Sequence, residues 1–151
     1  MTIAIEQLSL PELKSFLHEQ AQDTFQDLRD EARLNLLAEK WHANAEFCTC
    51  RNEGRLVGMV AFYANQPESG TAFFPHVYVS PVFRGKGAFK RMLQIIEFNI
   101  EKKGFKEIKL EVHEENIRAQ QVYLKYGFAK LYKINDNSVY MSKILPPQKS
   151  D

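Results

Sequence analysis

Apolar positions along this chain change their period several times, and each change predicts an element. Ile3 and Ile5 alternate with smaller or polar neighbours, which predicts a first strand. Ser9-Leu-Pro-Glu12 carries a capping-box signature and opens a helix through about His18. Leu28, Ala32, Leu36 or Leu37, and Lys40 or Trp41 recur at helical spacing, predicting a second helix over about Phe25 to Ala43. Glu46 to Asn52 then reads as a strand, Glu53-Gly54 as a hairpin turn, and Arg55 to Tyr63 as a longer apolar strand. The cluster Asn65-Gln-Pro-Glu-Ser-Gly70 turns the chain into a third strand of this meander, Ala72 to Val79.

A glycine-punctuated turn follows. Beyond it Met92, Leu93, Ile95, Ile96 and Ile100 form the apolar stripe of a helix that ends near Gly104. Ile108 to Val112 alternates as a short strand, and Asn116 can cap a helix through about Lys125, stopped by Gly127. Two last strands, about Ala129 to Ile134 and Ser138 to Ile144, flank the turn Asn135-Asp-Asn137. The order β-α-α-β-β-β-α-β-α-β-β is that of an α/β or α+β domain around a mixed sheet. No repeat, low-complexity tract or linker interrupts it. The expectation is one domain over residues 1–145 and a frayed tail over 146–151.

Composition narrows the function classes. The 151 residues suit a single core, and 20 Lys+Arg against 19 Asp+Glu leave a formal charge of +1. No basic excess points to nucleic acid or an anionic membrane surface as a partner. The first residues lack the charged and long apolar regions of a signal peptide, and no stretch approaches a membrane span, so a cytoplasmic protein is expected. Cys48 and Cys50 would share one face of a strand, a poor disulfide geometry, and the histidines at 18, 42, 76 and 113 add no zinc-ligand spacing. Two reduced structural thiols and no metal are expected.

The turn carries the chemistry. Val79-Ser-Pro-Val-Phe-Arg-Gly-Lys-Gly-Ala-Phe89 joins an apolar strand to an amphipathic helix, holds no acid, and includes Arg84 and Lys86, with Lys90 and Arg91 just beyond. A helix that opens on such a turn points its first N–H groups at an anion, which gains hydrogen bonds and the helix dipole. Gly85-Lys-Gly87 lacks the spacing and hydroxyl of a Walker loop. Lys90 stands where a dinucleotide fingerprint needs its third glycine, and the preceding meander is not a βαβ unit.

The segment after the turn decides among phosphates. Asn116, Ala119 and Tyr123 stand at Asn-x-x-Ala-x-x-x-Tyr spacing, followed by Gly127-Phe128. With Arg84-Gly-Lys-Gly87-Ala88-Phe89, the chain resembles the GNAT superfamily of acetyl-CoA-dependent N-acetyltransferases. The family's loop reads [Gln/Arg]-x-x-Gly-x-[Gly/Ala], and Phe89 departs from its last, small residue. The strong resemblance covers Ala72 to Phe128. It implies a GNAT-type acyl-CoA N-acyltransferase fold, a mixed, mostly antiparallel sheet of about seven strands flanked by about four helices. It implies acetyl-CoA as co-substrate, and homodimers are frequent among its members. By the same resemblance, backbone groups of Val77, Tyr78 and Val79 pair with the pantetheine arm. The amides of Arg84, Gly85, Lys86, Gly87, Ala88 and Phe89 bind the pyrophosphate. Asn116 hydrogen-bonds the pantetheine amides, Ala119 leaves room for the cofactor, and Tyr123 lies near the thioester sulfur. On the residues alone, Asn116 is also a helix cap and Tyr123 also a packing residue.

An amine attacking a thioester builds oxyanion character and expels a thiolate. A backbone N–H near the third meander strand can stabilise the first, and Tyr123 can hydrogen-bond the second. Full proton transfer from a phenol to a thiolate is uphill by about 2 kcal/mol at ordinary pKa values, so Tyr123 is expected to stabilise rather than fully protonate. Family members often place a Glu or His near the positions held here by Phe73 and Pro75, and neither of these can take a proton. His76 is adjacent but on a regular strand faces the other way, and only a bulge would turn it. Glu111, in Leu-Glu-Val, stands where some members relay a proton through water; it also reads as an outward strand carboxylate.

With no obvious base, a lysine amine, neutral at pH 7 in only about 0.04% of molecules, carries a handicap of about 4.6 kcal/mol, against about 1 kcal/mol for an α-amine. The expected acceptor is therefore a small-molecule amine of low pKa. Its pocket is expected between the first two helices and the Tyr63–Gly70 and Asp136 turns, with Phe25, Trp41, Tyr63 and Asn65 as candidate walls. The alternatives are a protein N-terminal or lysine acetyltransferase and a non-catalytic acyl-CoA-binding regulatory module.

Overall fold

Ser9 opens the first helix as its spacing predicts: its hydroxyl accepts the Glu12 N–H at 3.2 Å. In the computed structural model, which describes residues 1–147, the elements are β1 (Thr2–Ile5), α1 (Leu10–Gln20), α2 (Glu31–Asn44), β2 (Glu46–Asn52), β3 (Arg55–Tyr63), β4 (Thr71–Val79), α3 (Ala88–Lys102), β5 (Glu107–His113), α4 (Ile117–Lys125), β6 (Ala129–Lys133) and β7 (Ser138–Ile144). The strands form one mixed seven-stranded sheet in the order β1-β2-β3-β4-β5-β7-β6. Of the expected frayed tail, residues 148–151 lie outside the described residues.

The second helix begins six residues later than its apolar spacing predicts. Asp30 decides this, since its Oδ1 accepts from Ala32 N at 3.0 Å and Arg33 N at 3.3 Å, closing the first turn. Leu28 is buried ahead of the helix, Leu36 is 68% exposed, and the stripe that packs is Leu34, Ala38 and Trp41. A four-residue apolar spacing was present; the cap fixed where the helix could start.

The chain forms two compact units by its internal contacts. The first comprises Met1–Tyr63 and His76–Ile96. Its core sets Leu13, Phe16 and Leu17 of α1 and Leu34, Ala38 and Trp41 of α2 against Phe47, Met59, Ala61 and Tyr78. On β2, Cys48 and Cys50 are buried free thiols; burial pushes the Cys48 thiol up to about 12, which keeps it an unreactive packing group at neutral pH. A Cβ on Gly58 would meet Cys50 Cβ at 3.2 Å, Tyr78 O at 3.4 Å and Met92 Cε at 3.5 Å, so a side chain there would displace α3. Arg51 ties β1 and α1 to the β2–β3 hairpin through Glu6 at 2.8 Å and Glu12 at 3.0 Å.

The second unit comprises Ala64–Pro75 and the chain from Glu97 onward. Here β4 runs parallel to β5, pairing Thr71 with Glu107 through Phe74 with Leu110. β7 lies antiparallel to both β5 and β6. Phe74 packs on Phe128 and Phe128 on Tyr123, at centroid distances of 6.5 and 5.6 Å.

Candidate active site

In the first unit, β4 delivers the chain to the glycine turn. Ser80 N–H donates to Val57 O at 2.8 Å, and a short 3-10 turn over Pro81–Phe83 closes with Arg84 N–H donating to Pro81 O at 3.2 Å. Gly85 and Gly87 follow at φ +76° and +82°, the left-handed region that an L side chain rarely adopts. A Cβ built on either meets nothing within 4 Å, so the glycines serve backbone shape and leave open space over the turn. The α3 ladder begins with Arg91 N–H donating to Gly87 O at 3.0 Å; the amides before it have no helical carbonyl four residues back and lie at the positive end of the helix dipole. The turn has the shape and polarity of an anion cradle.

Phe89, the residue that departs from the family loop, is 8% exposed. Its ring is buried, which reconciles a bulky residue with an accessible turn. Lys86 and Lys90 are exposed, Lys86 with its ammonium 5.5 Å from the Phe83 ring centroid. Arg84 folds back: its Nε donates to Val79 O at 2.8 Å and its Nη2 to Asp23 Oδ2 at 2.5 Å. The Val79 carbonyl, expected to face the pantetheine arm, therefore already accepts one bond.

Burial alternates without a break along β4, with Ala72, Phe74, His76 and Tyr78 buried and Phe73, Pro75, Val77 and Val79 half-buried. His76 is 4% exposed, stacks on Trp41 at 4.9 Å and 22°, and lies with Nε2 2.6 Å from Gln20 Oε1. Burial holds its pKa down at about 4, so the ring is neutral at pH 7. Since Gln20 Oε1 accepts, Nε2 carries the proton. His76 is built into the core against α1 and α2. Of the expected pocket walls, Trp41 is core, Tyr63 half-buried, and Phe25 and Asn65 exposed.

In the second unit, Asn116 caps α4: its Oδ1 accepts the Ala119 N–H at 3.2 Å, leaving the amide nitrogen as the donor the side chain can offer outward. Tyr123 is 7% exposed, and burial pushes its phenol far above the ordinary range, so it is a proton-bearing hydrogen-bond donor across the working pH range. Gly127, at φ +99°, ends the helix, and Phe128 N–H returns to Tyr123 O at 2.9 Å. Glu111 is exposed on β5, opposite Tyr140 of β7.

Two supporting residues escaped the sequence reading. Gln120 is 5% exposed and donates to His113 O at 3.1 Å and Glu114 O at 2.8 Å, pinning the segment between β5 and α4. Its place among the unspecified positions of Asn-x-x-Ala-x-x-x-Tyr gave no signal. Asp23 sits in a polar loop with no periodicity. Among the described residues, no group of three or more His, Cys, Asp or Glu is arranged to hold a metal, and no helix is long and apolar enough to cross a membrane.

Comparison with known proteins matches the acetyltransferase (GNAT) family model to residues 10–128, spanning both motifs. The chain belongs to the GNAT family. Its co-substrate is accordingly acetyl-CoA, and the anion cradle suits the pyrophosphate of that molecule. Solved GNAT-type structures share the fold at low identity. The PaiA N-acetyltransferase of Thermoplasma acidophilum, in complex with coenzyme A, is 20% identical with a TM-score of 0.76, over 96% of this chain and 100% of that one. Ard1 of Thermoplasma volcanium is 21% identical with a TM-score of 0.71, covering 97% and 99%. The ribosomal-protein-S18-alanine N-acetyltransferase of Escherichia coli is 16% identical with a TM-score of 0.72, covering 99% and 97%. A search of curated proteins gives no match.

Proposed function

We propose that this GNAT acetyltransferase, acting through a single domain over residues 1–145, transfers acetyl from acetyl-CoA to a primary amine of a small molecule by direct attack in a ternary complex. The glycine turn takes the pyrophosphate through its amides, Val77 to Val79 and Asn116 serve the pantetheine arm, and Ala119 leaves space for it. Tyr123 donates to the sulfur as the thiolate leaves. Buried and protonated, it fits the donor role and not that of a base.

The observation that carries the acceptor class is the state of β4. Phe73 and Pro75 have no titratable group, and His76 has its Nε2 hydrogen bonded to Gln20. Glu111, exposed on β5, is the remaining candidate to take a proton through water, and a β4 without a base suits an acceptor amine of low pKa, which needs less help to lose its proton. A panel of amino sugars, polyamines, small α-amines, free-amine peptides and lysine peptides, read by free-thiol release, tests this. Turnover of small amines is expected; turnover of lysine peptides alone would overturn it.

A protein α-amine is the second reading, favoured by its equally low pKa and by the Escherichia coli neighbour, whose name specifies a protein alanine. It predicts turnover of free-amine peptides and none of amino sugars. A non-catalytic acyl-CoA-binding module would show binding without turnover across the panel, and Asn116 with Tyr123 in place argues against it.

A further inference from the structure

The loop that joins α1 to α2 reaches the phosphate turn within the first unit. Asp23, just past the end of α1, is fixed by its own N–H, which donates to Gln20 O at 2.8 Å. Its Oδ2 accepts two bonds, from the Tyr78 hydroxyl at 2.9 Å and from Arg84 Nη2 at 2.5 Å. Arg84 is also held through Nε on Val79 O at 2.8 Å, and its guanidinium carbon lies 5.5 Å from the centroid of the Tyr78 ring. Tyr78 is in turn anchored edge-on against Phe16 of α1 at 6.0 Å.

We propose that Asp23 is a positioning residue for the acetyl donor: it fixes the Arg84 guanidinium and thereby the shape of the glycine turn. A guanidinium presents its donors in one rigid plane, so two anchored edges leave it no rotation that keeps both bonds. The clasp from Arg84 to Val79 closes the chain between the strand end and Gly85. The residues that follow, Gly85 and Gly87, have the widest backbone freedom of any residue type and depend on that clasp for a single conformation. Without Asp23 one edge is released, and the amides that receive the pyrophosphate are less preorganised. The α1–α2 loop is thus part of the donor site. This inference rests on the acetyl-CoA reading above.

Asp23→Ala, Asp23→Asn, Arg84→Gln and the Asp23→Ala/Arg84→Gln double variant are compared with wild type, using acetyl-CoA and acetyl-pantetheine, a donor without pyrophosphate. The Asp23 and Arg84 side chains are 41% and 22% exposed, so the effect is that of a partly solvated pair. Asp23→Ala should raise KM for acetyl-CoA roughly fivefold with kcat within about twofold, and Asp23→Asn should fall between it and wild type. With acetyl-pantetheine, kcat/KM of the two Asp23 single variants should not change, and with acetyl-CoA the double variant should be no worse than Arg84→Gln alone. Equal losses with both donors would mean a general distortion and overturn the proposal, as would an unchanged KM or additive losses. A wild-type protein that neither binds nor turns over acetyl-CoA would overturn the functional reading beneath it. Normal wild-type turnover with insensitive Asp23 variants would overturn this inference alone.

Discussion

Mild acid should destabilise this protein, and His76 is the reason. In the unfolded chain an imidazole takes a proton near pH 6.5; folded, fully buried against Trp41 and Gln20, it resists until about 4. Between those values the unfolded state binds more protons than the native state, so stability falls as pH falls from about 6.5 to about 4. The interval of 2.5 units amounts to about 3 kcal/mol, with a slope approaching 1.4 kcal/mol per pH unit in its middle. That is a large share of the stability of a small domain. Glu6, whose pKa is lowered chiefly by its hydrogen bond from Arg51, adds its loss chiefly as pH falls below its ordinary value of about 4.5, so the two overlap only at the acid end of the His76 window. Trp41 is the only tryptophan and stacks on the imidazole, so its fluorescence reports urea unfolding at the group in question. Unfolding curves at half-unit intervals from pH 7.5 to 4.5 should show the decline in wild type and a flatter profile in His76→Gln, whatever that variant's starting stability. A wild-type profile flat between 6.5 and 5, or an equal slope in His76→Gln, would refute the reasoning.

Tyr123→Phe removes the phenol and keeps the packed ring, so kcat should fall about 10²-fold while the acetyl-CoA dissociation constant, measured by calorimetry, stays within about twofold. Because burial raises the Tyr123 pKa, the wild-type kcat profile should show no alkaline limb from this group, and its appearance near pH 10 would contradict the donor role. Gly87→Val forces a β-branched residue to φ +82° at about 1–2 kcal/mol or reshapes the turn; the protein should fold, as judged by circular dichroism, and lose acetyl-CoA binding. Gly58→Val presses into Cys50, Tyr78 O and Met92 and should cost about 1–3 kcal/mol in urea unfolding, with a lowered Tm.

Much of the local structure of the candidate site was legible because its signals are local. Asn116 caps α4 at the position its spacing indicates, Ser9 caps α1, and Gly127 stops α4 with the left-handed φ expected of a terminator. The loop from Arg84 to Phe89 declares itself by glycines that a left-handed turn requires. The seven strands and four helices follow from apolar periodicity and turn residues, each set within a few positions of itself.

The rest depended on residues far apart in sequence. The start of α2 was misplaced because the apolar spacing continued across Asp30, and only the folded chain shows that carboxylate closing the helix while Leu28 is buried outside it. In the sequence His76 is a strand histidine next to a family base position; Gln20 and Trp41, brought in by α1 and α2, make it a neutral core group. Asp23 and Arg84 are separated by 61 positions, and nothing in either segment announces the pair. By itself, then, the sequence determined nearly every element, the glycine turn and the family. Tertiary structure alone decided that His76 stays neutral and that Asp23 of the α1–α2 loop pairs with Arg84 of the glycine turn, because burial and ion pairing are properties of neighbours that only folding supplies.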